Sequence, residues 1–306
     1  MVTFFLSGMS FLSTARCRLY FADTAEDDGR LASKPSVLFI NGWALSGRYW
    51  TPLIDALMPN FRCITFDQSG TGRTEFLDAK PPFTISGFAD EAEALASSLG
   101  LGKTAPLHLV GHSMGSMVAT ELYHRLKPRV SSVTIIACGI FDYSPTQMQL
   151  LETFVRATMR LKWLFKFEPM QRAFVDKATA QPIDPHYAKL IVEDFLRTDA
   201  DAAAAVGAFS LNKDILANYT KQLLTIAAPM FLAVGDRDKT IPPEGMTTLF
   251  EKRSALCDSP TRFVRFPMLG HLPMLEDVAG FAEELRLFLN AKSVAEYAPP
   301  DSLMPK

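Results

Sequence analysis

The stretch Leu107-His108-Leu109-Val110-Gly111-His112-Ser113-Met114-Gly115 decides how this chain is read. Its first four residues form an apolar run of buried-strand length, which stops abruptly in Gly-x-Ser-x-Gly. The two glycines permit a tight turn from strand to helix that lifts Ser113 onto an elbow. The helical segment expected next, residues 116–127, points its first free N–H groups toward the same spot. A serine hydroxyl is a poor nucleophile unless a histidine takes its proton. Ser113 is therefore the candidate nucleophile, and its partners must be sought at other strand ends.

Working outward, short apolar runs alternate with segments of helical length. Residues 37–40, 62–66, 107–110, 133–137, 230–234 and 262–266 are predicted strands. Residues 49–57, 85–99, 113–126, 245–256 and 278–289 are predicted helices. Such alternation specifies an α/β fold with a mostly parallel central sheet covered by helices on both faces. Residues 16–23 are expected to add an edge strand, and the charged stretch 24–36 reads as a mobile loop. The rhythm breaks between 140 and about 221, where Leu, Phe, Met and Ala recur at helical spacing and Pro145, Pro169, Pro182 and Pro185 punctuate. An inserted helical cap over the carboxyl edge of the sheet accounts for that span. The expected division is a core over 1–139 and 223–290, a cap over 140–222 and a frayed tail over 291–306.

A chain of 306 residues with 48% hydrophobic residues can bury a sizeable core, and its formal charge of -2 gives no reason to expect nucleic acid as a partner. Basic residues Arg156, Arg160, Lys162 and Lys166 alternate with apolar ones, the pattern of an amphipathic lid surface. Cys17, Cys63, Cys138 and Cys257 form no metal-binding pattern, and a reducing compartment suits them. The apolar N-terminus lacks the basic residues of a signal peptide, and no stretch is long enough to span a bilayer. The expectation is a cytoplasmic protein with a small-molecule substrate and no metal or cofactor; oligomeric state is left open.

Five histidines compete for the role of base. His108 lies in a strand, His112 beside the serine, His124 on the following helix and His186 in the cap. His271 follows Gly270 on a loop leaving the last strand, from which it can swing over a crevice at the sheet's edge. It is the candidate general base. The acid must orient that imidazole. Strand 230–234 empties into Gly235-Asp236-Arg237-Asp238; Asp238, further from the strand end, is chosen, with Asp236 read as a carboxylate that caps the turn and Asp142 held in reserve. Two backbone donors are needed for an oxyanion: the amide of Met114, directly after the nucleophile, and that of Trp43 in Asn41-Gly42-Trp43. The run Asp67-Gln68-Ser69-Gly70-Thr71-Gly72-Arg73 lacks the spacing of a nucleotide-binding loop. It reads as a tight turn beneath the site, with Asp67 and Arg73 paired.

Taken together, these positions resemble the α/β-hydrolase fold superfamily, and within it the capped members: small esterases, C–C bond hydrolases, epoxide and haloalkane hydrolases and cofactor-free haloperoxidases. The resemblance runs from about residue 36 to 289. It implies Ser113 from the elbow, Asp238 from the Gly-x-x-Asp loop and His271 from the terminal Gly-His. Two departures stand out. The oxyanion loop starts with Asn41 where the family usually has His, and Ser116 replaces a frequent glycine. Dehalogenases and epoxide hydrolases of this fold resemble the chain but use an aspartate at the elbow, so Ser113 argues against them. The leading expectation is hydrolysis of an ester, thioester or lactone of a small, mainly apolar substrate through an acyl-enzyme. A C–C hydrolase of a dicarbonyl compound, an acyltransferase and a noncatalytic binding protein are the alternatives.

Overall fold

The computed structural model describes residues 10–141, 144–209 and 211–291. Its nine strands are β1 (Ser10–Ser13), β2 (Cys17–Asp23), β3 (Ser36–Ile40), β4 (Arg62–Phe66), β5 (Glu75–Phe76), β6 (Leu107–His112), β7 (Val130–Ile136), β8 (Met230–Gly235) and β9 (Thr261–Phe266). They form one sheet in the order β1-β2-β4-β3-β6-β7-β8-β9, with β5 paired to β2. Every pairing from β4 to β9 is parallel; β1, β2 and β5 pair antiparallel.

The helices are α1 (Thr24–Asp27), α2 (Thr51–Leu57), α3 (Ile85–Ser98), α4 (Met114–Leu126), α5 (Pro145–Arg160), α6 (Glu168–Ala178), α7 (Pro185–Arg197), α8 (Ala200–Phe209), α9 (Lys213–Leu224), α10 (Glu244–Leu256), α11 (Pro273–Glu276) and α12 (Val278–Asn290). Strand periodicity assigns side chains to the two faces. On β3, Leu38 and Ile40 join a core with α3, α4 and α10, whereas Val37 and Phe39 pack with α2 and α12. On β8, Leu232 and Val234 face the first core and Phe231 and Ala233 the second. A strand buried on both faces reads as a continuous apolar run, which is why the sequence shows runs without polar alternation. Each fully buried Leu or Phe contributes roughly 1.5–3 kcal/mol of burial, so these two layers fix the sheet that carries the site.

Two expectations are corrected. Residues 17–23 are not the edge: β1 lies outside them, pairing Ser10 with Phe21 through Ser13 with Arg18. The stretch expected to be a mobile loop forms α1 and a 3-10 turn at Gly29–Ser33. Asp23 caps α1 by accepting from Ala25 N, and Asp28 caps the turn by accepting from Arg30 N. Aspartate before a short polar stretch is a start signal for a helix as much as a loop marker.

The insertion between β7 and β8 holds α5 to α9. Helix α9 runs past residue 222 and leans on the sheet side: Tyr219 Oη donates to Cys138 O at 2.7 Å, and Gln222 Nε2 to Glu121 at 2.8 Å. On the outer surface Arg160 and Lys166 are exposed among the exposed Leu161, Trp163 and Phe167, while Lys162 turns inward to Thr198 O. The side chain of Arg156, Asp142, the N-terminal run and the tail 297–306 lie outside the described residues.

Candidate active site

The strand ends deliver the predicted residues to one edge. β6 ends at His112, and Ser113 caps α4 with φ 53° and ψ -126°. Positive φ in a serine costs about 1–3 kcal/mol and persists only where the surroundings enforce it. Here the enforcement is steric and polar. A side-chain carbon at Gly111 would sit 2.6 Å from Gly115 O, and one at Gly115 would sit 2.3 Å from Ile40 O. Ser113 N is fixed to Ile136 O at 2.8 Å. Ser116, in place of a glycine, turns its hydroxyl to Gly111 O at 2.8 Å and so ties the helix back to the strand it leaves.

Asp238 and His271 come together as a buried pair, His271 Nδ1 to Asp238 Oδ2 at 2.7 Å. An ionised carboxylate is acceptor-only, so Nδ1 carries the proton and Nε2 is left as the basic nitrogen. The other oxygen, Asp238 Oδ1, accepts from Thr240 N at 2.7 Å and Ile241 N at 2.9 Å. Turn capping, expected of Asp236, thus falls to Asp238, because its carboxylate points back over its own loop. Asp236 faces outward and pairs with Arg265 at 2.7 Å.

His271 is set beside the elbow: its ring centroid lies 4.9 Å from that of His112, the residue preceding Ser113. Among the described residues Ser113 Oγ makes no hydrogen bond.

The oxyanion expectations can be compared with the backbone. Among the described residues neither Trp43 N nor Met114 N donates to a protein acceptor. Ala44, the next residue, has φ 56°, which turns the loop sharply after Trp43. The Asn41 departure has a structural explanation. Its side chain donates to Phe66 O at 2.6 Å and accepts from Trp50 Nε1 at 2.9 Å, pinning the loop's root from two sides. Asp67 pairs with Arg73 at 2.7 Å as expected, and also accepts from Gly47 N at 2.7 Å. Two of the other histidines are engaged elsewhere: His108 with Ser132 Oγ at 2.7 Å, and His124 with Gln222 O at 2.9 Å.

Sequence reasoning missed Glu276. Its carboxylate accepts from Gly270 N at 2.9 Å and Leu272 N at 3.2 Å, the amides on either side of His271. It also accepts from Ala180 N at 2.7 Å and Gln181 N at 2.8 Å, on the chain leaving α6. His271 N itself donates to Ala178 O at 2.9 Å. The base loop is therefore fixed by one carboxylate and one cap carbonyl. The only sequence signal was an acidic residue in the short helix five positions after His271.

Trp43 also meets the cap. Its indole donates to Ala203 O at 3.1 Å, and its ring packs edge-on against Phe195 at 5.9 Å. Between Trp43, Met114, Phe88 and the α8 residues Ala202, Ala203 and Val206 lies a cavity of about 10 Å³, room for one water. Among the described residues no group of three or more His, Cys, Asp or Glu is placed to hold a metal ion, and no helix is long and apolar enough to cross a membrane.

Comparison with known proteins completes the picture. The protein RutD of Agrobacterium fabrum, whose name assigns it provisionally to carbamate hydrolysis, is 35% identical over 99 residues, 32% of this chain and 36% of its own. RutD of Caulobacter vibrioides is 29% identical over 189 residues, 62% of this chain and 64% of its own. The chain thus spans about a third to two thirds of these relatives' lengths. The solved esterase from Exiguobacterium antarcticum superposes with a TM-score of 0.75, covering 93% of this chain and 100% of its own at 15% identity, a likeness of fold. A family model described as the alpha/beta hydrolase family matches residues 37–284, which contain β3 from its second residue, the elbow, the whole insertion and His271. The chain belongs to the alpha/beta hydrolase family.

Proposed function

We propose that the protein is a serine hydrolase that cleaves a carboxylic ester, thioester or lactone of a small, mainly apolar substrate through an acyl-enzyme. The observation that carries this reading is the Asp238–His271 hydrogen bond at 2.7 Å beside the strained elbow of Ser113. Asp238 holds the imidazole with Nε2 toward the serine and offsets the charge that develops on it. His271 Nε2 takes the Ser113 proton as Oγ attacks the carbonyl carbon. The new oxyanion is received by the amides of Trp43 and Met114, aided by the N-terminus of α4. Protonated His271 then returns its proton to the leaving alcohol or thiol as the tetrahedral species collapses. Water, deprotonated by His271, repeats the attack on the acyl-enzyme and frees the acid and Ser113.

The small cavity beside the oxyanion loop, about 10 Å³, is lined by the apolar Trp43, Ala202, Ala203 and Val206 and by the polar Gln68, Ser69 and Thr198, which sets apolar cap residues next to the proposed oxyanion donors. The relatives' name makes a carbamate one substrate to set beside esters, thioesters, lactones and dicarbonyl compounds in a product screen. The decisive experiment is pre-steady-state hydrolysis of p-nitrophenyl acetate. A burst of about one nitrophenolate per protein, abolished in Ser113→Ala, is the expected result; an unchanged burst in that variant contradicts the assignment.

A further inference from the structure

His112 and Tyr49 are buried, lie in contact with both halves of the site and take no part in the steps above. Gly42 N donates to Tyr49 Oη at 3.2 Å, Tyr49 Oη lies 3.1 Å from His112 Nδ1, and His112 Nε2 lies 2.9 Å from His271 O. The direction of this chain is forced. A carbonyl can only accept, so His112 Nε2 must carry a proton. Burial, and secondarily the nearby His271, push the His112 pKa well below the ordinary histidine value, so the ring is neutral and Nδ1 is bare. Tyr49 must then donate to Nδ1, and burial keeps its hydroxyl protonated by raising its pKa well above the usual value. The lone pairs of Tyr49 Oη are left to accept Gly42 N–H. Four groups are satisfied by three bonds running one way.

The two ends of this chain matter. At one end is Gly42, the residue before the Trp43 amide. At the other is the backbone carbonyl of His271. In the middle is His112, covalently joined to Ser113. The packing is close as well: a side-chain carbon at Gly42 would lie 2.8 Å from His112 Nδ1.

We infer that Tyr49 and His112 are positioning residues that hold the oxyanion loop, the elbow and the base loop at a fixed mutual spacing. The inference rests on the serine-hydrolase reading and adds to it a cause for the alignment of its three loops. Neutral His112 serves a second purpose, since a cation so near the base would lower that base's proton affinity.

The test is Tyr49→Phe in the full-length protein, which removes one oxygen atom and severs both bonds at that atom. With p-nitrophenyl acetate, kcat falls about tenfold while KM stays within about twofold, because a misplaced oxyanion donor weakens the transition state and not substrate binding. His112→Phe shows a similar loss, and the double variant is no worse than the poorer single variant, as for groups acting as one unit. A purely structural role would lower the melting temperature and leave kcat per folded molecule unchanged. Nitrogen-15 NMR of the wild type, which needs no variant to fold, shows His112 as the Nε2–H tautomer. Tyr49→Phe with wild-type kcat, additive losses in the double variant, or an Nδ1–H tautomer overturns the inference. Wild type without a burst overturns the underlying reading instead, so the two failures are distinguishable.

Discussion

The sheet's carboxyl edge and the cap above it are held by different kinds of contact. At the edge, each proposed catalytic group sits within a few residues of a strand end: Ser113 directly after β6, Asp238 three residues after β8, His271 five after β9. Their geometry is enforced mainly by backbone amides, close glycine packing and short loops, with Glu276 and Ala178 O tying the His271 loop to the chain leaving α6. The cap is tied down by side chains distant in sequence. Asp194 of α7, fully buried, accepts from Ser46 N at 2.8 Å and Ser46 Oγ at 2.6 Å and pairs with Arg48. Lys80 reaches Asp199 at 2.8 Å and Asp201 at 2.9 Å, and Asp199 N donates to Gly70 O at 2.7 Å. Loops built this way hold chemistry in register, whereas a seam of a few polar contacts can open and close.

The largest expected effect separates the two regions outright. Asp238→Asn leaves the shape of the edge but offers an amide to His271 Nδ1, favouring the wrong tautomer. A loss in kcat of about 10⁴ is expected with little change in melting temperature. Steady-state kinetics with a circular-dichroism melt checks it, and a loss below about tenfold would remove Asp238 from its role.

Next in size is acid sensitivity, which has opposite signs in the two regions. Burial of His108 on β6 lowers its pKa from 6.5 to about 4. The unfolded chain therefore binds the proton more readily, and the sheet's stability is complete above about pH 6.5 and falls as pH drops toward 4. The loss amounts to about 3 kcal/mol at the lower end. Burial raises the pKa of Asp194, so the cap's contribution works the other way and weakens as pH rises through that group's range. Denaturant midpoints across pH 4 to 7 show the fall, and His108→Gln flattens it. An equally steep fall in that variant contradicts the assignment to His108.

Asp194→Ala gives the smallest effect, about 2 kcal/mol of stability, since it strands the Ser46 amide and the partly exposed Arg48. Asp194→Asn costs less, as it keeps one acceptor. The accompanying change is a faster entry step, read as higher kcat/KM for bulkier esters relative to acetate. If the alanine variant is as selective as wild type, the seam does not gate access.

Much of the edge was legible before the fold was known, and little of the cap. The strands 37–40 and 230–234 announce themselves because burial on both faces demands unbroken apolar runs, and 62–66 is nearly as apolar. Ser113, Asp238 and His271 each follow a predicted strand, where loop position and chemistry coincide. β1 was missed because its four residues, Ser10–Ser13, carry serines at both ends and owe their form to pairing with β2. The exchange of turn capping between Asp236 and Asp238 depends on which way two neighbouring carboxylates point, which composition does not encode. Asp194 and Lys80 act through partners more than a hundred residues away, and Glu276 joins amides four and six residues before it to two others about a hundred residues away. Nothing near them in the chain hints at the pairing. The one-way bonding of Tyr49 and His112 was likewise hidden, although His112 stood inside the stretch that opened the reading.

The central claim is that Ser113 is the one serine activated for attack on an electrophilic centre. Incubation with a fluorophosphonate, followed by intact mass and peptide mapping, tests it most directly. The account predicts a single adduct per chain, on Ser113, and none in Asp238→Asn over the time that saturates wild type. Folded protein that takes no adduct, or takes it on another residue, contradicts it.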